Sequence, residues 1–154
     1  FITGNVAVDA ILKAKSTVME NAGITFEFVE YSLTSLPISE QNFCMLLSNL
    51  LDNAIEGIAR IDDQKSRHTI SLKLARSWDI FFISCENDMN PASIRRHGRN
   101  FLSSKQNVSR HGFGTKNICS IVDEAKGYCK FVQNQSIFRV EITLPYATEI
   151  NHDT

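Results

Sequence analysis

Residues 46–58 read LLSNLLDNAIEGI, and the way this run divides between apolar and polar positions decides the fold. Phe43, Leu46, Leu47, Leu50, Leu51, Ala54, Ile55 and Ile58 recur at three- and four-residue spacings. That pattern lays a broad apolar face along a helix predicted to run from about Ser39 to Ala59. Ser39 suits an N-cap, and Glu40 falls in the first turn, where the helix dipole favours an anion. Asn49, Asn53 and Glu56 form a polar stripe beside the apolar face. Asn is a mediocre helix former, costing about half a kcal/mol against Ala. A buried amide without a partner costs about 1–3 kcal/mol. The two asparagines therefore either face solvent or hold a ligand, and an amide carbonyl is a hard oxygen suited to Mg²⁺.

Upstream, a first helix is predicted over residues 5–22, with Val6, Ala10, Ile11, Ala14, Val18 and Ala22 on its buried face and Gly23 as its stop. Ile24 to Phe28 alternates as a half-buried strand does. Downstream, strands are expected over 68–75 and 78–86 with a turn near Arg76-Ser77. Ile80-Phe81-Phe82-Ile83 is apolar throughout, as in a central strand. A third helix is expected over 115–126 and a closing strand pair over 128–133 and 136–144, turning at Asn134-Gln135. Residues 146–154 read as a frayed tail. The order α-β-α-β-β-loop-α-β-β predicts an α/β (α+β) two-layer sandwich. Its mixed, mainly antiparallel sheet would be covered on one face by three helices.

The bulk composition bounds the function. The chain has 154 residues, 43% of them hydrophobic, with 16 Lys plus Arg against 17 Asp plus Glu. This suits one folded domain, residues 1–154, and excludes global disorder. A pI near 6.5 argues against nucleic acid as the main partner. No apolar run approaches the length of a membrane span. Cys44, Cys85, Cys119 and Cys129 form no CxxC pair and each lies in an apolar stretch, so they read as reduced core thiols. The first residue is Phe1, with no start Met or signal-peptide pattern, so the sequence is expected to be a piece of a longer protein.

Between Asn87 and Gly114 periodicity disappears, and a loop of that size in a compact domain is usually functional. From Met89 to Val122 there is no Asp or Glu, while Arg95, Arg96, Arg99, Lys105, Arg110 and Lys116 are all basic. A one-signed stretch in a near-neutral chain suggests a polyanion, and a nucleoside triphosphate fits. The stretch has only Phe101 and Phe113 as aromatics, which weakens a base-stacking role with nucleic acid. It leads into His111-Gly112-Phe113-Gly114-Thr115, a glycine-containing run opening a helix, where free N–H groups and the dipole can meet an anion. The end of the predicted central strand carries a polar cluster, Cys85-Glu86-Asn87-Asp88-Met89-Asn90.

In that order these features resemble the GHKL ATP-binding fold shared by gyrase, Hsp90, histidine kinases and MutL, over about residues 4–146. Three patterns resemble more narrowly the catalytic domain of Agr-type quorum-sensing histidine kinases. They are Gly4-Asn5 followed by Asp9-Ala10-Ile11-Leu12, Asn49-Leu50-Leu51-Asp52-Asn53-Ala54, and Ser104-Lys105 leading to His111-Gly112-Phe113-Gly114-Thr115-Lys116-Asn117. The resemblance implies ATP and Mg²⁺ as cofactors, with Asn53 on the metal. Asn49 would replace the glutamate base of ATP-hydrolysing relatives, and an amide there cannot take a proton from water. Asn87 would read the adenine amino group. Gly112, Gly114 and Thr115 would face the phosphates, and residues 88–113 would form an ATP lid containing Phe101, Lys105 as a phosphate contact, and His111 as an anchor. The chain departs from the family where the usual D-x-G-x-G becomes Asn87-Asp88-Met89-Asn90-Pro91.

The implied function is transfer of the ATP γ-phosphate to a histidine on a dimerisation domain, for relay to a response regulator. The phosphoacceptor histidine is expected outside this chain, because none of His68, His97, His111 and His152 lies on the first helix. The piece alone is therefore expected to bind ATP, as a monomer, without autophosphorylation. The parent is expected to be a membrane-bound homodimer with this part in the cytoplasm. Two alternatives stay open: an ATPase-driven switch, disfavoured by the amide at Asn49, and a catalytically degenerate domain acting as a nucleotide-responsive or protein-interaction module.

Overall fold

The computed structural model describes residues 1–30, 33, 35–62, 66–90, 102–103 and 113–146. The elements run α1 (Val6–Asn21), β1 (Thr25–Glu30), α2 (Glu40–Ala59), β2 (Thr69–Ser77), β3 (Ile80–Asp88), β4 (Leu102–Ser103), α3 (Phe113–Glu124), β5 (Tyr128–Asn134) and β6 (Ile137–Pro145). The strands form one sheet in the order β1-β2-β3-β6-β5-β4. Among the described residues only β1 and β2 pair in parallel; the other neighbours are antiparallel. The mixed, mainly antiparallel sheet expected from the sequence is the one observed.

Strand alternation divides the two faces of the sheet. Ile70, Leu72 and Leu74 of β2, Phe81, Ile83 and Cys85 of β3, Cys129 and Phe131 of β5, and Val140, Ile142 and Leu144 of β6 share one buried core with the helices. Phe43 of α2 meets Phe81 edge-on at 5.5 Å, and the Cys85 thiol donates to the Leu50 carbonyl at 3.9 Å. Leu46, Leu47, Leu50 and Leu51 are all buried, each worth about 1.5–3 kcal/mol in apolar surface removed from water. The opposite face carries a charge ladder, in which Arg139 pairs with Glu86 at 2.6 Å and with Glu141 at 3.3 Å.

The first helix turns a different side inward from the one its periodicity predicts. Val8, Leu12 and Met19 are fully buried, whereas Val6 and Val18 are 86% and 50% exposed, and Ala10, Ala14 and Ala22 also face solvent. The reason is volume. Leu12 and Met19 bring more apolar surface to the contact with α2 than a row of alanines does. Lys15 disguises this face in the sequence, because its ammonium ends on Asp52 of α2 at 2.6 Å. The start of α1 is fixed separately. Asn5 accepts from the Val8 N–H at 2.9 Å as N-cap and donates to Glu40 of α2 at 2.8 Å. Asp9 accepts from the Thr3 N–H at 2.9 Å and from the Thr3 hydroxyl at 2.8 Å. The Gly4-Asn5…Asp9 pattern thus ties the beginnings of α1 and α2 together.

Three boundaries also shift. The β2–β3 turn is at Trp78-Asp79, not Arg76-Ser77, and Trp78 adopts a left-handed φ of 51° while 90% exposed. The short strand β4 lies within the stretch read as loop. Helix α3 runs Phe113–Glu124, so Gly114 belongs to its first turn with Thr115 instead of preceding it. Ser39 is the N-cap of α2, accepting from Asn42 N–H at 3.2 Å.

Candidate functional site

Three elements meet where α2 passes the end of β3 and the start of α3. The four-residue period of α2 places Asn49, Asn53 and Gly57 in line along one side of the helix. Asn53 donates from Nδ2 to the Thr115 hydroxyl at 3.5 Å, across 62 residues of sequence. Its Oδ1 lies against Gly114, so closely that a Cβ there would stand 2.6 Å away. Thr115 is 5% exposed. Asn49 returns its Nδ2 to the Met45 carbonyl at 2.8 Å, which leaves its own carbonyl outside that bond. It is half-buried.

The other contributor is the end of β3. Alternation turns Asn87 toward the helices and Asp88 toward the uncovered face. Asn87 is 4% exposed and donates to the Asp88 carbonyl at 2.7 Å. Its amide lies over Gly57, where a Cβ would come within 2.8 Å of Nδ2. Asp88 accepts from the Thr69 N–H at 2.8 Å and faces His68 at 3.8 Å, so it fastens β2 to β3 and stays out of the site.

Two amides are therefore each seated on a glycine of a neighbouring element: Asn87 of β3 on Gly57 of α2, and Asn53 of α2 on Gly114 of α3. Sequence reasoning missed Gly57. The signal was its spacing of four from Asn53, hidden because Glu56 was assigned to the stripe. Glu56 instead points outward and pairs with Arg60 at 3.7 Å. Asp52 is equally unavailable as a base, being held by Lys15 on the α1 side. Of the residues singled out from the sequence, the structure brings together Asn53, Gly114 and Thr115, with Asn49 one turn earlier on α2 and Asn87 at the strand end. Lys105, Gly112, Phe101 and His111 lie outside the described residues.

The donor set fits a metal that arrives with its ligand. Among the described residues no cluster of three or more His, Cys, Asp or Glu could hold an ion alone. Mg²⁺ commonly takes one or two protein oxygens and completes its shell with phosphates and water. With Nδ2 committed to Thr115, the Asn53 Oδ1 could supply one such oxygen, and the first turn of α3 lies beside it. Among the described residues, no helix is long and apolar enough to cross a membrane.

Comparison with known proteins bears out the fold. A family model described as the GHKL domain matches residues 38–145. Sensor histidine kinase NatK of Bacillus subtilis (strain 168) is 27% identical over 90% of this chain, which spans 47% of that relative's length. The catalytic domain of histidine kinase ThkA superposes with a TM-score of 0.71 at 16% identity, covering 94% of this chain and 93% of that one. Acinetobacter baumannii histidine kinase AdeS gives 0.67 at 15% identity, covering 92% and 64% of the two chains. These superpositions share the layered α/β architecture, and the family model spans both seated amides and the start of α3. The chain belongs to the GHKL domain family.

Proposed function

We propose that the chain is the ATP-binding catalytic domain of a two-component sensor histidine kinase. It would deliver the γ-phosphate of ATP to a histidine on a dimerisation domain of the same kinase, for relay to a response regulator. The observation that carries this reading is the seating of Asn53 against Gly114 and Thr115, which brings a hard oxygen to the N-terminus of a helix. Asn53 would hold Mg²⁺, which supplies charge neutralisation to the phosphates when bound. Asn87, buried at the strand end with one amide hydrogen bond already made, would read the adenine edge through Oδ1. Gly112 and Lys105, within a lid spanning residues 88–113, would contact phosphates together with Gly114 and Thr115.

The amide at Asn49 favours transfer to a side chain over hydrolysis, because it cannot deprotonate water. With Glu56 turned outward and Asp52 held by Lys15, neither of the nearby acids on α2 supplies that base. Relatedness to a sensor kinase supports a parent that is a membrane-bound homodimer with this domain in the cytoplasm, and the Agr-like patterns support a quorum-sensing role.

Titration calorimetry of ATP into the folded domain, with and without Mg²⁺, tests the site. Saturable binding that depends on Mg²⁺ and is lost in Asn53→Ala is expected. Labelled phosphate from γ-labelled ATP should then appear on an added dimerisation domain bearing its histidine. ATP binding without any such transfer would instead favour a degenerate, nucleotide-responsive module, a reading that draws on Asn87 standing where a carboxylate is usual.

A further inference from the structure

The last rung between β2 and β3 is made by a side chain. The ladder's final pair is Ile70 with Asn87, so an ordinary next rung would join the Thr69 N–H to the Asp88 backbone carbonyl. Both groups point the right way for it, because successive backbone groups along a strand face opposite sides. The His68 carbonyl accepts from the Thr25 N–H of β1 at 2.8 Å, which turns the Thr69 N–H toward β3. The Met89 N–H donates to the Ser136 carbonyl on the β6 side at 2.7 Å, which turns the Asp88 carbonyl toward β2. Yet the Thr69 N–H donates to the Asp88 side chain, to Oδ2 at 2.8 Å. The backbone carbonyl is left over, and it accepts from the Asn87 Nδ2 at 2.7 Å.

That second bond decides which end of the Asn87 amide faces the site. A carbonyl only accepts, so the nitrogen must be the end beside it. Among the described residues Oδ1 accepts no hydrogen bond, and no buried side-chain oxygen there lacks a partner, so Oδ1 is open to whatever enters from outside. Packing holds the rest in place. The amide is 4% exposed and lies over Gly57, with Nδ2 2.8 Å from the position a Cβ there would take. A carboxylate would present an oxygen whichever way it turned. An amide presents an oxygen one way and an N–H the other, so its orientation has to be set by a neighbour.

We propose that Asp88 is a positioning residue for Asn87, which takes the Thr69 N–H on its side chain and so frees its own carbonyl to hold the amide as an acceptor for adenine and against hypoxanthine. Adenine brings an exocyclic N–H to Oδ1 and is matched. Hypoxanthine brings a carbonyl oxygen to the same place, and two acceptors then face each other with no proton between them. A site built to receive an N–H rejects the analogue that lacks it. The proposal rests on the nucleotide reading above and says what fixes the base that this reading takes.

Removing the side chain at position 88 reverses the arrangement. The Thr69 N–H then falls back on the Asp88 carbonyl, and the Asn87 nitrogen loses its exclusive partner. The amide can turn over and offer an N–H to an oxopurine, so discrimination relaxes. The affinity contributed by Mg²⁺ and the phosphates at Asn53 is unaffected by that turn. Asparagine at position 88 still carries an oxygen that can accept the Thr69 N–H, and therefore preserves the rung.

The test titrates ATP and ITP, each with Mg²⁺, into the folded wild type, Asp88→Ala and Asp88→Asn, and reads the ratio of the two affinities by calorimetry. Wild type should prefer ATP by about 10- to 100-fold, the range expected when one polar group is left unpaired in a closed site. In Asp88→Ala the ratio should fall to within about threefold, since an amide free to present either end no longer tells the bases apart. Asp88→Asn should keep the wild-type ratio. A merely structural role would weaken both nucleotides together; an unchanged ratio in Asp88→Ala would therefore overturn the proposal, as would a ratio in Asp88→Asn that relaxes as far as in the alanine variant. If Asp88→Ala does not fold, the wild type decides by NMR. The Asn87 side-chain amide should be protected from hydrogen exchange without nucleotide, and an unprotected amide would overturn the proposal. Equal binding of ATP and ITP by the wild type would overturn it too and leave the nucleotide reading standing; if the wild type binds neither, both fall.

Discussion

Replacing Gly114 with alanine separates stability from function in a way the structure makes quantitative. The added Cβ would sit 2.6 Å from the Asn53 Oδ1, and 3.4 Å from its Cγ. The backbone at Gly114 is helical and accepts alanine, which gains up to about 1 kcal/mol in helix propensity. Opposing this, the Asn53 amide must retreat and give up its long hydrogen bond to Thr115, a loss of about 0.5–1.5 kcal/mol. The two effects nearly cancel, because the obstructing atom is the free end of a side chain. Folding stability, read from urea unfolding, should therefore change by less than about 1 kcal/mol. The functional change is not small. The oxygen has to withdraw by about 0.8 Å to reach an ordinary separation near 3.4 Å. A displacement of that size at an aligned site should slow phosphate transfer to the dimerisation domain by about 10- to 100-fold, and weaken Mg²⁺-dependent ATP binding in parallel. Unchanged ATP affinity and transfer in a stably folded Gly114→Ala protein would refute the assignment of Asn53. A loss of several kcal/mol would refute the claim that the amide is free to move.

Gly57→Ala should behave differently, because the Cβ would lie 2.8 Å from an Asn87 amide that is buried and already bonded to Asp88. Overpacking should exceed the propensity gain and lower stability by about 1 kcal/mol, measurable by denaturant midpoint at unchanged m-value. Lys15→Met breaks an ion pair whose two side chains are partly exposed, so a loss of only about 0.5 kcal/mol is expected, and a double-mutant cycle with Asp52→Asn should return a coupling of that size. Glu30 and Asp9 should give opposite pH responses. Burial first, then the Asp9 charge, raises the Glu30 pKa above 4.5, so the native state binds more protons there and stability rises as pH falls through that raised value. Hydrogen bonds from the Thr3 N–H and then its hydroxyl lower Asp9 below 3.8, so its contribution is present above that value and lost as pH falls further. Glu30→Gln should accordingly stabilise the domain at pH 7 and lose its advantage near pH 4, and thermal melts at the two pH values check the sign.

How much of this was legible in the sequence depends on the length of each signal. The second helix was readable almost to the residue, because its twenty positions carry a wide leucine face and a capping serine. The central strand was equally plain from its unbroken apolar run, and the closing pair from alternation. The first helix misled because two apolar stripes compete on it, and counting apolar positions favours small alanines over the bulkier Leu12 and Met19. Neither two-residue turn carries a glycine, and Trp78 and Gln135 occupy left-handed φ values of 51° and 48° that Gly or Asn would normally supply. Within the site, Asn53 and Thr115 were marked by motif. Their contact joins residues 62 positions apart and has no local signature. Gly57 had only its spacing of four from Asn53 to mark it, because its role is the absence of a side chain beneath Asn87.

The sheet order has a consequence for how the polypeptide is made. β6, the last of the described strands in chain order, lies between β3 and β5 and pairs with both. Until it emerges, the apolar strand β3 has only β2 beside it. At a synthesis rate of roughly 5–20 residues per second, the interval between completing β3 and completing β6 lasts several seconds or more. During that interval an unpaired, hydrophobic strand edge is exposed on the ribosome. The sheet therefore closes late, when β6 slots into the gap between β3 and β5. Chaperone demand should be concentrated there, and chains that stop short of β6 should be cleared as unfolded protein.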